Sequence, residues 1–259
     1  MLIDTHCHLH FDAFDADREA VIERAREFGV KYLVNVGTDP ATNRAAKDLA
    51  AGYDFMFHTA GLHPHHSHEA TEEQIAEMEN SIPANKPVAI GEIGLDYFKS
   101  EADPETQKRI FTRMLNLAIQ KCLPVIVHSR NAFRDTMDIL KAETRGKLKG
   151  VMHCFSYDET ALKELLDFGF LASFTCNLTF KNAAPLLEVA KHAPLDRIML
   201  ETDSPYLAPQ VYRGKRNEPA CLVHLAEFLS AQRGIVRNEL ERQTTQNAIR
   251  FFNLPVVSQ

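Results

Sequence analysis

The stretch Leu2-Ile3-Asp4-Thr5-His6-Cys7-His8 runs from apolar residues directly into two histidines that are one residue apart. Alternate residues of a β-strand face the same side, so His6 and His8 project together. Two imidazoles at this spacing can bind one metal ion, but two histidines without any ligand produce the same pattern. The pair therefore predicts a metal site only if other strands end in further ligands.

Short apolar runs of this kind recur along the chain and alternate with amphipathic, helix-like stretches. We predict eight strands, at Leu2–His6, Lys31–Val36, Phe55–Leu62, Val88–Ile93, Val125–His128, Gly150–His153, Phe170–Phe174 and Ile198–Thr202. The predicted helices between them are Arg18–Phe28, Thr42–Ala50, Glu72–Asn80, Pro104–Lys121, Ala132–Ala142, Glu159–Asp167 and Ala183–His192. Repeated alternation predicts a parallel sheet, and eight units fit an α/β fold of the (β/α)8 TIM-barrel class.

An open, doubly wound sheet is the alternative fold, but the sequence has neither a G-x-G-x-x-G motif nor a P-loop. After the eighth strand come a loop, Pro205–Pro219, and two more helical patterns, Ala220–Gln232 and Asn238–Phe252. We expect residues 1–259 to form a single barrel domain with these extra C-terminal helices.

Composition limits the class of protein. A net charge of −6 argues against a protein that coats nucleic acid with a basic face, but a nuclease can obtain positive charge from bound cations. Five cysteines without a C-x-x-C pair predict free thiols in a reducing compartment, and no signal peptide or apolar stretch of membrane-spanning length is evident. We expect a cytoplasmic protein without a membrane or an obligate protein partner.

Other candidate ligands stand where apolar strands end: Glu92, His128, His153 and the pair Glu201 and Asp203. The carboxyl ends of barrel strands meet at one mouth, where active sites lie. Imidazoles and carboxylates suit Zn, Mn or Mg ions. Four histidines with Glu92 and Asp203 exceed the needs of one tetrahedral ion, so we predict two divalent metal ions with Glu92 as the bridge. Asp203 would bind metal and also accept a proton from water.

Substrate contacts are predicted at three further positions. His63 ends the third strand, Arg130 follows His128, and Arg213 lies in a basic loop after the eighth strand. Each can contact a phosphate. A rim salt bridge is the alternative for Arg130, and a solvated basic loop is the alternative for Arg213. We expect His65, His66 and His68 at the surface, and Cys154 in the core.

The motifs resemble those of the TatD family of metal-dependent hydrolases, often called TatD-type deoxyribonucleases. The matching stretches follow one another along nearly the whole chain: Asp4–His8, Gly61–Pro64, Gly91–Tyr97, Pro124–Arg130, His153–Ser156, Glu201–Leu207 and Arg213–Pro219. The resemblance implies a TIM barrel with a two-metal site at His6, His8, Glu92, His128, His153 and Asp203. It also implies hydrolysis of phosphodiester bonds in DNA, exonucleolytically on single strands. Thr175-Cys176-Asn177 departs from the small Gly-containing turn of many members, which puts the local substrate groove in doubt.

Two other functions fit the same residues. A metallohydrolase of esters or amides, such as a D-aminoacyl-tRNA deacylase, would use the same metal-activated water, although related amide-cleaving barrels frequently have a carboxylated lysine where Glu92 stands. A non-catalytic metal-binding scaffold would be expected to have lost ligands, and here all six positions are intact.

Overall fold

The computed structural model describes residues 1–144 and 146–255. Its strands are β1 (Leu2–Cys7), β2 (Val30–Asn35), β3 (Met56–His58), β4 (Ile90–Asp96), β5 (Val125–Arg130), β6 (Gly150–Met152), β7 (Leu171–Phe174) and β8 (Ile198–Leu200). Its α-helices are α1 (Arg18–Glu27), α2 (Pro40–Ala50), α3 (Glu72–Asn85), α4 (Pro104–Lys121), α5 (Phe133–Thr144), α6 (Glu159–Asp167), α7 (Ala184–His192), α8 (Leu222–Arg233) and α9 (Arg237–Phe252).

The strands form parallel ladders in chain order, β1-β2-β3 and β4-β5-β6-β7-β8. Both seams between these ladders are joined by single bridges, Ala60 with Ile90 and Cys7 with Ser204. At the second seam the Asp203 amide donates to the His6 carbonyl at 2.9 Å. The strands therefore follow one another around a (β/α)8 barrel, which confirms the predicted fold class.

All eight predicted strands and nine predicted helices are present, but some bounds differ. β3 ends at His58, four residues earlier than predicted, because successive amides turn to different neighbours. The Thr59 amide donates to Asn35 and the Ala60 amide to Ala89, so no continuous ladder forms there. α3 extends beyond its predicted end and contains Pro83.

Local sequence signals explain how several helices begin. Asp39, Asp103 and Asp158 each cap a helix, because their carboxylates accept backbone N–H groups of the first turn. Pro40 and Pro104 follow two of these caps as the first residue of α2 and α4, where a missing N–H costs nothing. These caps determine where the chain turns from each strand end into the next helix.

An apolar layer lies directly beneath the predicted ligands. Ile126, Val151 and Met199 precede His128, His153 and Glu201 by two residues, so each pair faces the same side of its strand. Phe251 and Phe252 of α9 belong to the same cluster. The polar residues at the strand ends therefore lie on an apolar layer, and α9 packs against the N-terminal side of that layer. No helix in the ranges given above is long and apolar enough to cross a membrane.

Candidate metal centre

The six predicted ligands converge at one end of the barrel. β1, β4 and β5 bear His6, Glu92 and His128, whereas His8, His153 and Asp203 come just after β1, β6 and β8. All of them except the fully buried His6 line a cavity of about 730 Å³. The structure thus brings together all six side chains that the sequence singled out.

The two histidines of the first strand face each other. Their Nε2 atoms are 3.2 Å apart, and Asp203 Oδ1 lies 3.4 Å from His8 Nε2. His8 Nδ1 lies 2.7 Å from the Val36 carbonyl, which can only accept a hydrogen bond, so Nδ1 carries a proton. The Nε2 atom of His8 therefore faces the carboxylate of Asp203. A cation between these acceptors would satisfy them all.

Glu92 lies between two groups of histidines. Its Oε2 is 3.3 Å from His6 Nε2. Its Oε1 is 2.8 Å from His128 Nδ1, 3.2 Å from His153 Nε2 and 3.5 Å from His63 Nε2. The two oxygens of one carboxylate therefore face different sets of imidazoles, which is the arrangement that a bridging ligand needs.

Two further carboxylates hold the histidines in place. The Asp96 Oδ2 atom lies 3.0 Å from His128 Nε2, and the Glu201 Oε1 atom lies 2.9 Å from His153 Nδ1. In both cases the bonded nitrogen is the one turned away from Glu92. A carboxylate that accepts from the far nitrogen of a histidine fixes its tautomer and strengthens the other nitrogen as a metal ligand.

Neither of these two roles is predicted from the sequence. Glu201 shares the strand parity of Asp203, and Asp96 lies within the matching stretch Gly91–Tyr97. The signal for Asp96 was the same parity, since Glu92, Gly94 and Asp96 alternate on β4.

The site concentrates negative charge. Glu92, Asp96, Glu201 and Asp203 have ion pairs only with histidines among the described residues. Burial raises the pKa of the Glu92 carboxyl, but the imidazoles of His153, His63 and His6 outweigh burial and hold this pKa well below its usual range. Burial lowers the pKa of His153, and Glu92 and Glu201 more than reverse that effect. Carboxylates so placed need a cation, and bound divalent ions fit this requirement.

Three groups of side chains could each hold a metal ion, because within each group the ligand atoms all lie within 4.8 Å of one another. The groups are His6, His8 and Asp203; His6, His153 and Glu201; and His63, Glu92 and His128. His63, predicted as a substrate contact, thus lies among potential ligands. Burial lowers its pKa to about 4, so its imidazole is neutral at physiological pH and able to coordinate.

His65 is half-exposed, as predicted, and its Nε2 lies 3.0 Å from Asp96 Oδ2 at the cavity wall. The prediction that Cys154 lies in the core was wrong, because Cys154 lines the cavity. Its backbone φ of 46° breaks the strand alternation directly after β6, so the thiol does not turn into the core.

The predicted phosphate contacts occupy different positions. Arg130 lines the cavity, and its guanidinium carbon lies 4.1 Å from the centre of the Phe98 ring. Arg213 is stacked on Phe180 at 3.8 Å and does not belong to the cavity wall formed by the described residues. Asn177, in the segment that departs from the family pattern, does line the cavity. The structure thus brings Arg130, but not Arg213, to the candidate centre.

Comparison with known proteins agrees with this geometry. The sequence model of the family described as TatD related DNase matches residues 3–253. The chain is 39% identical over 254 residues to the uncharacterized metal-dependent hydrolase YabD of Bacillus subtilis (strain 168), covering 98% of this chain and 100% of that protein. It is 36% identical over 261 residues to the 3'-5' ssDNA/RNA exonuclease TatD of Erwinia tasmaniensis, covering 98% and 100% of the two chains.

A solved structure gives the same result. The crystal structure of YJJV, a TatD homolog from Escherichia coli K12, superposes with a TM-score of 0.91 and 29% sequence identity, covering 98% of each chain. The match of fold therefore extends along the barrel together with the strand ends that bear the candidate ligands. This chain belongs to the TatD-related DNase family of metal-dependent hydrolases.

Proposed function

We propose that this protein is a divalent-metal-dependent deoxyribonuclease that removes nucleotides from the ends of single DNA strands. The observation that carries the proposal is the position of Glu92, whose two carboxylate oxygens face two different groups of histidines. A paired-ion site of this kind serves phosphodiester hydrolysis. The Erwinia tasmaniensis relative, named as a 3'-5' ssDNA/RNA exonuclease, supports the same substrate class.

Two divalent ions, Mg, Mn or Zn, would be held by His6, His8, Glu92, His128, His153 and Asp203, with Glu92 between them. When bound, such ions lower the pKa of a coordinated water and neutralise charge on the phosphate. His63 is close enough to Glu92 and His128 to contribute a further ligand or to contact the phosphate.

Asp203 is the residue best placed to accept a proton from the attacking water. Its side chain is 15% exposed, against 5% for Glu92 and 2% for Glu201, so it is the most accessible of these three carboxylates. Burial raises its pKa, but bonding to His8 and the charges of His153 and His6 outweigh burial and lower it. Asp203 is therefore ionised at neutral pH and free to act as a base.

Positive side chains at the cavity wall would hold the substrate phosphate. Arg130 and Lys99 are the arginine and lysine of that wall within the described part of the chain. A guanidinium presents paired donors that match phosphate oxygens. Arg213 would act further out, on a nucleotide beyond the scissile bond.

The test is an activity screen with oligonucleotides of defined ends, in which the added metal is varied and total metal is measured by mass spectrometry. We expect hydrolysis of single strands that depends on a stoichiometric divalent ion. Parallel assays on carboxylic esters and on D-aminoacyl-tRNA separate the alternative hydrolase, because preferential turnover of those substrates would contradict the nuclease. A protein that contains no stoichiometric metal and hydrolyses none of these substrates would be the non-catalytic scaffold.

Asp203→Asn tests the assigned base. Hydrolysis should fall by at least about a hundredfold, while the circular dichroism spectrum and melting temperature stay close to those of the wild type. Asp167→Asn, an exposed carboxylate on α6, is the matched control and should keep full activity. An Asp203→Asn protein that retains its activity would remove this residue from the mechanism.

We also place the protein in the cytoplasm. All five cysteines are free thiols, as a reducing compartment requires.

A further inference from the structure

An exposed aromatic side chain stands next to the cavity. Phe98 follows β4 by two residues and is 56% exposed, which is unusual for so large an apolar side chain. The guanidinium of Arg130 covers one region of its ring, with the Arg130 Cζ atom 4.1 Å from the ring centre. Arg130 itself lines the cavity, so this pair continues the cavity wall outward.

The position of Phe98 is held from below. The backbone amides of Phe98 and Lys99 both donate to Asp96 Oδ1 at 2.8 Å. The other oxygen of that carboxylate bonds His128, and the Tyr97 amide donates to the Arg130 carbonyl at 2.9 Å. The exposed ring is therefore built on β4 and β5, the same two strands that bear Glu92 and His128.

The Arg130 guanidinium is uncommitted. Within residues 1–144 and 146–255 its side chain makes no salt bridge and no hydrogen bond, although Glu92, Asp96 and Asp203 also line the cavity. An arginine stacked on an aromatic ring, with its N–H groups free, can contact a phosphate while the ring receives an adjacent base.

We propose that Phe98 and Arg130 form a stacking platform for a nucleobase of the single strand whose phosphate lies in the cavity. This inference rests on the proposed nuclease function and adds a specificity to it. The platform selects strands that carry a base next to the scissile bond, and it tolerates any base, because every base has a flat face. Charge complementarity supports this occupant, since Arg130 and Lys99 meet the anionic backbone beside the ring.

The test compares two single strands of equal length and charge, one with normal thymine bases and one with abasic sites at the terminal nucleotides. We expect the wild type to favour the base-bearing strand by about tenfold in kcat/KM. Phe98→Ala should reduce kcat/KM for the base-bearing strand by about tenfold, mainly by raising KM. The value for the abasic strand should not change. Phe98→Tyr should restore the preference, because tyrosine keeps the flat ring.

Phe28→Ala is the matched control. Phe28 is 51% exposed but follows α1, at the end of the barrel opposite the cavity, so both strands should be cleaved as by the wild type. An equal loss on both strands in Phe98→Ala, or no loss on either, would overturn the platform.

Equilibrium binding provides a readout without turnover. The two strands are titrated, with fluorescence anisotropy as the signal, against Asp203→Asn protein with and without Phe98→Ala. Weaker binding of the base-bearing strand alone, by about tenfold, supports the platform, and equal binding of both strands by the two proteins refutes it. If the wild type cleaves neither strand, the proposed nuclease function fails, whatever the result of this binding comparison.

Discussion

His8 illustrates how a single hydrogen bond prepares a metal ligand. Its Nδ1 donates to the Val36 carbonyl at 2.7 Å, so Nε2 is the ring nitrogen that faces the centre. His153 and His128 are prepared in the same way by Glu201 and Asp96. The outer partner determines which nitrogen is free, and the ring cannot turn without losing that bond.

The smallest change that tests this orientation is Asp96→Asn. The amide keeps the volume of the carboxylate but accepts less strongly from His128 Nε2, so the affinity for metal should fall by about 10- to 100-fold. Isothermal titration with Mn²⁺ or Zn²⁺ measures this.

Asp135→Asn is the control for Asp96→Asn, because Asp135 bonds Tyr97 and Lys108 outside the cavity wall. It should bind metal as the wild type does. Unchanged affinity in Asp96→Asn would mean that Asp96 serves only the loop that contains Phe98.

Among the elements, the pairing of β4 with β5 places two of the six ligands, Glu92 and His128. Gly94 lies opposite His128 in this pair, with a φ of 143°. A Cβ atom at Gly94 would lie 1.9 Å from the His128 carbonyl oxygen. Glu92 and Asp96 flank this glycine on the same strand, so the close approach of the two backbones brings both carboxylates to His128.

Gly94→Ala should therefore separate the two strands. We expect a loss of at least about 2 kcal/mol in the free energy of unfolding, from strain at this φ and from the clash, together with weaker metal binding. Urea denaturation and metal titration measure the two effects. Gly52→Ala, where the added methyl would lie 3.4 Å from the Leu49 carbonyl, is the control and should be close to neutral. A stable Gly94→Ala protein with normal metal affinity would contradict this account.

β3 contains a histidine whose burial links stability to pH. Burial, with a smaller contribution from Lys47, lowers the pKa of His58 to about 4 from its ordinary 6.5. As the pH falls below 6.5 the unfolded chain takes up a proton that the folded chain refuses, so folded stability declines between about pH 6.5 and 4. At pH 5 this costs at most about 2 kcal/mol, since His58 keeps some contact with solvent.

His58→Gln removes this titration. The free energy of unfolding, from urea curves at pH 7 and pH 5, should fall less for the variant than for the wild type. His192→Gln, which changes an exposed histidine at the end of α7, should follow the wild type. An identical pH response of His58→Gln and wild type would exclude His58 as a source of acid sensitivity.

In the whole molecule, the candidate ligands lie at one end of the barrel and α9 covers the other end. α9 contacts the first residue, because the Met1 amino group lies 2.7 Å from Glu241. The two phenylalanines of α9 pack in the apolar layer beneath the ligands. The net charge of −6 is spread over a molecule whose cavity wall contains Lys99 and Arg130. Binding of a strand should therefore depend on the metal centre and a short basic contact.

Salt dependence tests that distribution of charge. The logarithm of the association constant is plotted against the logarithm of the salt concentration at a fixed metal concentration. Two phosphate contacts to a single strand predict a slope of about −1.4. Lys99→Ala should make the slope shallower by about 0.7. Affinity measured by anisotropy from 50 to 400 mM salt gives the slope, and a value steeper than about −4 would indicate a long phosphate-binding groove.

The alternation of elements and the identity of the six candidate ligands follow from the amino-acid sequence. Strand period, caps such as Asp39 and the polar ends of apolar strands are local signals, and local signals can be read without coordinates. Asp203 and Glu201 were found because parity along one strand is local too.

Which atoms come into contact depends on the folded arrangement of the strands. That Asp96 bonds His128, that His63 joins Glu92, and that Phe98 lies under Arg130 depend on the pairing of strands distant in sequence. Cys154 was misjudged because its left-handed backbone ends the strand period, and the sequence has no signal for that turn. In the first strand, His6-Cys7-His8 suggests a metal site. Closure of the barrel brings the carboxylates of Glu92 and Asp203 beside these histidines, and this negative charge favours a bound cation.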